Sequence, residues 1–410
     1  MKEKIGLHIV GGLGDVCLTR KYNAVCGTDL IGKFDVLSIA DVYEEQQIKD
    51  NDRLDRLFDT IKKYNIKGKI DPKIETVLKN HLLNSINYHQ LDQDNPELPS
   101  SFFDNVNKND VIDISVPNKF HLNLVEQVLK KHGHMIVEKP AVHSMDDVTR
   151  LRRSITDMNM NGRIIMDAEH YSHYGNVKHY INDFKRISRD KRQGYGLGKI
   201  NSIELRIEEN EGFASERNRG IIEIKKSGGG IWLDTGIHAI AFLRNIGAII
   251  DHSSVNAQPY KSRDAQIQDN KYGETRMDVS FNIQPSKYFS DDCNVSINVA
   301  KSCELQHKRF VMHYENGRVE IDIPKKSVNG FNKNGAAIFD HCVPGDAFYH
   351  VFEDMRKNIE YNQEPLTSVT KSIENIEDIF LIYGRAKPLI KLKDSKTGPK
   401  KNKTSSRLSA

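Results

Sequence analysis

Three polar residues could together move a proton to and from an alcohol. Lys139 directly precedes Pro140, and Asp234 and His238 are separated by three residues in a later segment. A histidine titrates near neutrality, so it can accept a proton in one direction and return it in the other. The ammonium group of Lys139 could stabilise a developing alkoxide. If residues 234–238 are helical, the Asp234 carboxylate shares a face with His238 and could orient the imidazole or bind a substrate hydroxyl.

A glycine-rich segment near the start, IVGGLGDVC, has the pattern of a turn that receives a dinucleotide. Gly12 would permit the tight turn, and Gly14 would let the backbone approach a pyrophosphate. Leu13 and Asp15 complete the turn, and the small Cys17 would let the next helix pack closely on the strand. That helix would present free N–H groups and its positive dipole end to the phosphates. Packing alone can also produce such a turn.

Asp41 follows the apolar run at residues 34–40 and could bind the ribose of a dinucleotide. Its carboxylate could accept hydrogen bonds from both ribose hydroxyls and would repel a 2'-phosphate, so we expect NAD in preference to NADP. The interval between Gly14 and Asp41 is longer than the usual spacing of about 20 residues. The alternative interpretation is that Asp41 caps the next helix.

Alternating strands and helices are predicted to position these residues. The predicted strands lie at residues 5–10, 34–40, 111–116 and 135–137, and helical patterns lie at 16–24 and 122–131. This alternation implies a parallel sheet whose ligands bind beyond the carboxyl ends of its strands. The region from residue 43 to 105 exceeds a single crossover, and we interpret it as a largely helical elaboration.

The pattern changes in the second half of the chain. A helix at 145–158 and a strand at 163–168 precede short segments without helices between them, at 203–207, 277–283, 295–299, 310–314 and 319–323. Helical patterns at 346–361 and 372–387 follow. The sequence thus predicts an α/β protein with an N-terminal Rossmann dinucleotide-binding domain (1–144) and a C-terminal α+β domain with a large open, mostly antiparallel sheet (145–390). The basic tail at 391–410 is predicted to be disordered.

Two longer segments carry a resemblance to a known family. They are DVIDISVPNKFHLNLVEQVLKKHGHMIVEKP at residues 110–140 and GGGIWLDTGIHAIAFLRNIG at residues 228–247. With the glycine turn they resemble the glucose-fructose oxidoreductase/inositol dehydrogenase (Gfo/Idh/MocA) family. In that family a Pro-Asn pair and a histidine follow one strand, a Glu-Lys-Pro follows the next, and an Asp-x-x-x-His lies in the second domain. The resemblance implies a nicotinamide-dependent oxidoreductase with a cis Lys139–Pro140 bond.

The resemblance also assigns roles to single residues. Lys139, Asp234 and His238 become the catalytic group, and the same three residues with Tyr171 become the substrate-binding group. The predicted cofactor-binding residues besides those of the glycine turn and Asp41 are Pro117, Asn118, His121 and Glu138. For Pro117, Asn118 and His121 the alternative is a plain loop and helix start. The commoner arginine-containing pattern near Tyr171 is missing from this sequence, which leaves the substrate open.

Composition restricts the partners of this chain. The 410 residues carry 60 basic and 56 acidic side chains, a formal charge of +4, which is too little to suggest nucleic acid as a partner. No apolar run is long enough to span a bilayer and no export signal is evident, so we expect a cytoplasmic protein without a membrane partner. The five cysteines are scattered, and we expect reduced thiols and no metal site.

The combined hypothesis is an NAD(P)-dependent dehydrogenase or reductase. Its substrate would be a secondary alcohol of a sugar, sugar phosphate, nucleotide sugar or cyclic polyol, and the resemblance implies a homodimer or homotetramer. A second hypothesis is a regulatory protein of the same fold that binds cofactor and sugar without turnover. A third is reduction of an unsaturated or imine-like substrate, in which the roles of Lys139 and His238 would shift.

Overall fold

The computed structural model of the chain describes most of its residues. These are residues 4–12, 17–26, 28–43, 80, 85–131, 133–157, 162–188, 195–210, 216–262, 264, 267, 269–301, 303 and 306–391. The predicted disordered tail therefore lies almost wholly outside the described residues, as does most of the predicted elaboration.

A six-stranded parallel sheet forms the first part of the fold. Its strands, in chain order, are β1 (Ile5–Val10), β2 (Phe34–Asp41), β3 (Asn87–Gln90), β4 (Val111–Ile114), β5 (His134–Val137) and β6 (Ile165–Asp167). Their spatial order is β3-β2-β1-β4-β5-β6, the order of a dinucleotide-binding sheet. Every residue of β4 and β5 is buried, as expected for central strands covered by helices on both faces. The predicted Rossmann fold is confirmed.

Helices connect these strands. In chain order they are α1 (Tyr22–Cys26), α2 (Ser100–Phe103), α3 (His121–Lys130) and α4 (Met145–Asp157). Leu122, Leu124, Val125 and Val128 form the apolar stripe that α3 buries, at the spacing of an amphipathic helix. A π-helical turn, Cys17–Lys21, precedes α1 and leads from the glycine-rich segment into it.

Nine strands form a second, mostly antiparallel sheet, as predicted. They are β7 (Ile200–Glu208), β8 (Ile250–Lys261), β9 (Arg276–Ile283), β10 (Phe289–Ala300), β11 (His307–Tyr314), β12 (Gly317–Asp322), β13 (Ser327–Asn332), β14 (Ala337–Cys342) and β15 (Ile390–Lys391). Their order is β14-β13-β12-β11-β7-β10-β9-β8-β15, with parallel pairing at β7–β10 and β8–β15. Along β7, Ile203, Leu205 and Ile207 are buried and alternate with the exposed Glu204 and Arg206, so one face carries the core.

The remaining helices cover the second sheet or return to the first. They are α5 (Gly175–Ser188), α6 (Glu216–Ile221), α7 (Ile224–Ser227), α8 (Ile237–Asn245), α9 (Ala347–Tyr361) and α10 (Val369–Gly384). Helix α9 packs on the parallel sheet, where the rings of Phe352 and Phe34 lie edge to face at 5.7 Å. Strand β6 also belongs to that sheet, although it follows the domain boundary predicted at residue 144.

The described part of the predicted elaboration contains a strand. Residues 43, 80 and 85–105 are described, and among them β3 pairs with β2 at the edge of the parallel sheet. Its sequence, NYHQ, has no apolar run, because an edge strand buries little surface. Periodicity could therefore not reveal it. In the described part of the chain, every helix is too short or too polar to cross a membrane.

Candidate active site

Lys139 and Asp234, far apart in sequence, form an ion pair between the two halves of the fold. Lys139 follows β5, and its Nζ donates to Asp234 Oδ1 at 2.8 Å and to the Asp234 carbonyl oxygen at 2.7 Å. The peptide bond between Lys139 and Pro140 is cis, as the family resemblance implied. The two predicted catalytic residues therefore meet at the carboxyl edge of the parallel sheet.

His238 is held by a carboxylate that the sequence did not assign to it. Its Nδ1 lies 2.5 Å from Glu169 Oε1, and both side chains are almost fully buried. Glu169 follows β6, and its oxygens also accept hydrogen bonds from the backbone N–H groups of Tyr171 and Ser172 at 3.0 and 2.9 Å. Because an ionised carboxylate only accepts, Nδ1 carries the proton and Nε2 is left as an acceptor.

The expectation that Asp234 orients the His238 imidazole is therefore corrected to Glu169. Asp234 lies in a π-helical turn, Trp232–Gly236, and only from Ile237 onward is the segment α-helical. The wider turn removes the simple four-residue periodicity on which the expectation rested. The position of Glu169 just after a strand of the parallel sheet was the signal available in the sequence.

The charges of this site follow from burial and pairing. Burial alone would raise the pKa of Asp234, but the ammonium groups of Lys139 and Lys301 hold it well below its usual range. Burial opposes the charge of Lys139 as well, yet Asp234 raises the pKa of that ammonium. Burial, then the charge of Lys139, lower the pKa of His238. The site thus pairs a stable ammonium with a neutral imidazole.

Two aromatic side chains enclose His238. The Tyr171 ring stacks on the imidazole with centroids 4.0 Å apart, and the His170 ring meets it edge-on at 4.9 Å. Tyr171 Oη and His170 Nδ1 are buried and have no hydrogen-bond partner within the described part of the chain. Tyr171, predicted to bind substrate, thus lies directly beside the predicted base.

Glu138 belongs to a separate buried cluster at the same edge of the sheet. Lys21 Nζ lies 2.9 Å from Glu138 Oε1 and donates to Asp113 Oδ1 and Ser115 Oγ, both at 2.7 Å. The Lys21 side chain is only 1% exposed. This cluster links the turn before α1 to the ends of β4 and β5. Glu138 therefore helps to hold the strands and the helix that surround the site.

The glycine turn is described only in part. Gly11 has a φ of +77°, so Gly11, and not Gly12, has the left-handed backbone of the turn. A Cβ on Gly12 would lie 2.9 Å from a side-chain carbon of Ile39, so a small residue is required there by packing. The predicted cofactor-binding residues Leu13, Gly14 and Asp15 lie outside the described residues.

Asp41 ends β2 at the same edge of the sheet. Its Oδ1 accepts a hydrogen bond from the backbone N–H of Val42 at 2.7 Å, and its backbone carbonyl accepts one from Leu91 at 2.7 Å. The buried carboxylate therefore lies beside the carboxyl end of β1, as the ribose-binding hypothesis requires.

The residues after β4 divide into two groups. Pro117 and Asn118 form the half-buried or exposed start of a short 3₁₀ turn, Asn118–Phe120, at the sheet edge. His121 is fully buried, with ring nitrogens 2.8 Å from the carbonyl oxygens of Val116 and Pro140. The prediction that His121 lines the cofactor cleft is corrected, because its ring instead joins this turn to the Lys139–Pro140 segment. In the described ranges, no cluster of His, Cys, Asp and Glu could hold a metal ion.

Comparison with known proteins relates part of the chain to a family of oxidoreductases. The family model described as "Oxidoreductase family, NAD-binding Rossmann fold" (GFO_IDH_MocA) matches residues 51–160. This match covers about a quarter of the chain and includes the motif at residues 110–140, one of the segments that carry the resemblance to the Gfo/Idh/MocA family. The match therefore supports the predicted resemblance to an NAD-binding oxidoreductase family over this part of the chain. No curated protein sequence matches the chain.

Solved structures share this architecture at low sequence identity. The 3-ketoreductase KijD10 from Actinomadura kijaniata, solved with NADP and TDP-benzene, is 13% identical at a TM-score of 0.65, covering 95% of this chain and 100% of its own. Aldose-aldose oxidoreductase from Caulobacter crescentus, complexed with glycerol, is 16% identical at 0.67, covering 93% and 97%. UDP-N-acetylglucosamine 3-dehydrogenase GnnA from Acidithiobacillus ferrooxidans is 12% identical at 0.62, covering 94% and 98%. At such identities the likeness concerns the fold.

Proposed function

We propose that this protein oxidises a secondary alcohol of a sugar, sugar phosphate, nucleotide sugar or cyclic polyol with NAD, or catalyses the reverse reduction. The observation that carries the proposal is the convergence of Lys139, His238 and the oriented carboxylate Glu169 at the carboxyl edge of a dinucleotide-binding sheet. A base, its orienting group and a fixed positive charge are what alcohol oxidation requires of the protein.

His238 acts as the proton acceptor in this proposal. Glu169 fixes the tautomer with the proton on Nδ1, so Nε2 accepts the proton of the reacting hydroxyl. The lowered pKa of His238 keeps the imidazole neutral and ready to accept near pH 7. In the reverse direction the same nitrogen returns the proton.

Lys139 stabilises the negative charge that develops on the reacting oxygen. An ammonium group has three N–H donors, and Asp234 receives two of them. The third donor is available for the substrate oxygen, and the raised pKa of Lys139 keeps the group charged. Asp234 fixes the lysine and thereby links the two halves of the site.

The residues at the sheet edge fit a nicotinamide dinucleotide, which when bound would supply the hydride acceptor. Gly12 and Asp41 would hold its pyrophosphate and ribose portions, together with Leu13, Gly14 and Asp15. Asp41 supports NAD over NADP because a carboxylate repels a 2'-phosphate. Pro117 and Asn118 would lie near its nicotinamide end. A cytoplasmic location and a homodimer or homotetramer stay predictions.

The rival function is a sensor that binds cofactor and sugar without turnover. The buried Glu169–His238 pair and the buried Lys139 ammonium favour the enzyme, because both cost free energy to place in the interior. A binding protein has no need of either arrangement.

Nicotinamide absorbance tests the proposal. Purified protein is mixed with NAD or NADP and pooled sugars, sugar phosphates, nucleotide sugars and polyols, alongside Lys139→Met and His238→Ala variants. Turnover by the wild type that collapses in both variants supports the dehydrogenase. Tight cofactor binding without turnover across the whole panel would favour the sensor, and absence of cofactor binding would eliminate both.

A further inference from the structure

A row of charged side chains continues from Asp234 onto the nine-stranded sheet. Lys301 Nζ lies 3.8 Å from Asp234 Oδ2 and 3.4 Å from Glu209 Oε2, and Lys308 Nζ donates to Glu209 Oε1 at 2.7 Å. Glu209 follows β7, Lys301 follows β10 and Lys308 lies in β11. Because these three strands are neighbours, the sheet brings the charges together beside the site.

The buried Lys301 ammonium has no carboxylate oxygen at a short hydrogen-bond distance among the described residues. Its side chain is 3% exposed, yet its distances to Glu209 and Asp234 exceed the 2.7–2.9 Å of a good charge-assisted hydrogen bond. Lys139, by comparison, binds Asp234 at 2.7 and 2.8 Å. Burying an ammonium is costly unless its hydrogen bonds are made, so Lys301 retains capacity for a further acceptor.

Tyr171 connects this row to the reacting groups. Lys308 Nζ lies 5.3 Å from the centre of the Tyr171 ring, and the same ring stacks on the imidazole of His238. The buried Tyr171 hydroxyl has no partner within the described residues, so it too can serve a ligand. A substrate held against His238 and Lys139 would therefore border Tyr171 and the two lysines of the sheet.

We infer that Lys301 and Lys308 bind a carboxylate of the substrate. The substrate of the proposed oxidoreductase is then a sugar acid, and this inference rests on that proposed function. Along the row Lys139–Asp234–Lys301–Glu209–Lys308, three ammonium groups face two carboxylates, an excess of one positive charge. The Glu169 charge is already bound by His238 and two backbone N–H groups. A single excess charge matches a carboxylate better than a dianionic phosphate.

Calorimetric binding tests this inference without requiring turnover. The protein, with and without NADH, is titrated with matched acid and neutral sugars: D-glucuronate against D-glucose, D-galacturonate against D-galactose, and D-mannuronate against D-mannose, with D-glucose 6-phosphate as a further arm. We expect at least one acid to bind at least about tenfold more tightly than its neutral partner, which corresponds to about 1.4 kcal/mol of binding free energy. Lys301→Met and Lys308→Met should each lose this preference.

Matched variants separate charge recognition from folding. Lys333→Met removes an exposed lysine from the turn between β13 and β14, at the edge of the same sheet, and should keep the preference. Lys301→Arg, which retains the positive charge, should keep it as well, and circular dichroism checks the fold of every variant. Equal binding of acids and neutral sugars, a preference that survives Lys301→Met in a folded protein, or tighter binding of the phosphate would each overturn the inference. A loss of NADH binding alone would instead count against the proposed function.

Discussion

Two lysines at the same edge of the parallel sheet, the buried Lys21 and the half-buried Lys139, differ in where their partners come from. Lys21 is fully enclosed, and its partners Asp113, Ser115 and Glu138 all come from the N-terminal sheet region. Lys139 is 13% exposed, and its carboxylate partner Asp234 comes from the segment before α8.

The two ammonium groups also differ in how many of their N–H donors have acceptors within the protein. Lys21 donates to two oxygens at 2.7 Å and forms an ion pair with a third at 2.9 Å, so acceptors from three residues surround its ammonium. Lys139 binds the two oxygens of a single residue and has a third donor in reserve. Charge and burial alone therefore do not distinguish the two lysines; what distinguishes them is the N–H donor that Lys139 leaves for the proposed substrate.

Lys21→Met should have the largest effect, and it should act on stability. The substitution leaves Asp113 and Glu138 buried without their shared cation, which we expect to lower the free energy of unfolding by about 3–5 kcal/mol. Denaturant unfolding measures this change. Lys33→Met, which removes a partly exposed lysine paired with Asp29, should cost no more than about 1 kcal/mol. An equally small loss for Lys21→Met would abolish the distinction between the two lysines.

Lys139→Met should affect turnover. Removing the donor to the reacting oxygen is expected to lower kcat by roughly 10²–10³-fold, the usual effect of losing one such donor. Steady-state nicotinamide absorbance provides the measurement. Lys131→Met, an exposed lysine after α3, should retain wild-type rates. A folded Lys139→Met protein with near-normal kcat would show that Lys139, like Lys21, is structural.

Glu169→Gln should change both the rate and its pH dependence. The neutral amide orients His238 less strongly, and we expect kcat to fall by roughly 10²-fold. Because the Glu169 carboxylate raises the pKa of His238 against the effect of burial, its loss should lower that pKa further. The acid limb of the kcat/KM profile should therefore shift to lower pH. A lower rate with an unshifted profile would mean that Glu169 serves only packing.

Asp167→Asn should have the smallest effect, a change in how stability depends on pH. Burial raises the pKa of Asp167 to about 8, against the opposing hydrogen bond from Ser372. Between the unfolded pKa near 4 and this value, the folded protein holds a proton that the unfolded chain has lost, so stability falls as pH rises. The slope attributable to this proton, about 1.4 kcal/mol per pH unit, should disappear in the variant. Unfolding curves at pH 6 and pH 7 provide the measurement, and an unchanged slope would contradict the assignment.

The sequence predicted the elements whose signals are local. The apolar runs of β1, β4 and β5 and the Glu-Lys-Pro and Asp-x-x-x-His motifs gave the fold class and placed Lys139, Asp234 and His238. The partner of His238 could not be read in this way, because Glu169 lies 69 residues away in sequence and only the folded chain brings it to the imidazole. His121 was misassigned for the opposite reason: a motif position does not reveal that a side chain points into the interior.

The rate of His238→Ala tests the central claim most directly, namely that this imidazole transfers the proton. Wild type and variant are compared by nicotinamide absorbance on the same substrate, with cofactor affinity measured in parallel and His313→Ala, an exposed histidine paired with Glu204, as the control. We expect His238→Ala to bind cofactor normally while kcat falls by about 10²–10⁴-fold, and the control to match wild type. A folded His238→Ala protein that turns over within about tenfold of wild type would contradict the role of His238 as the base.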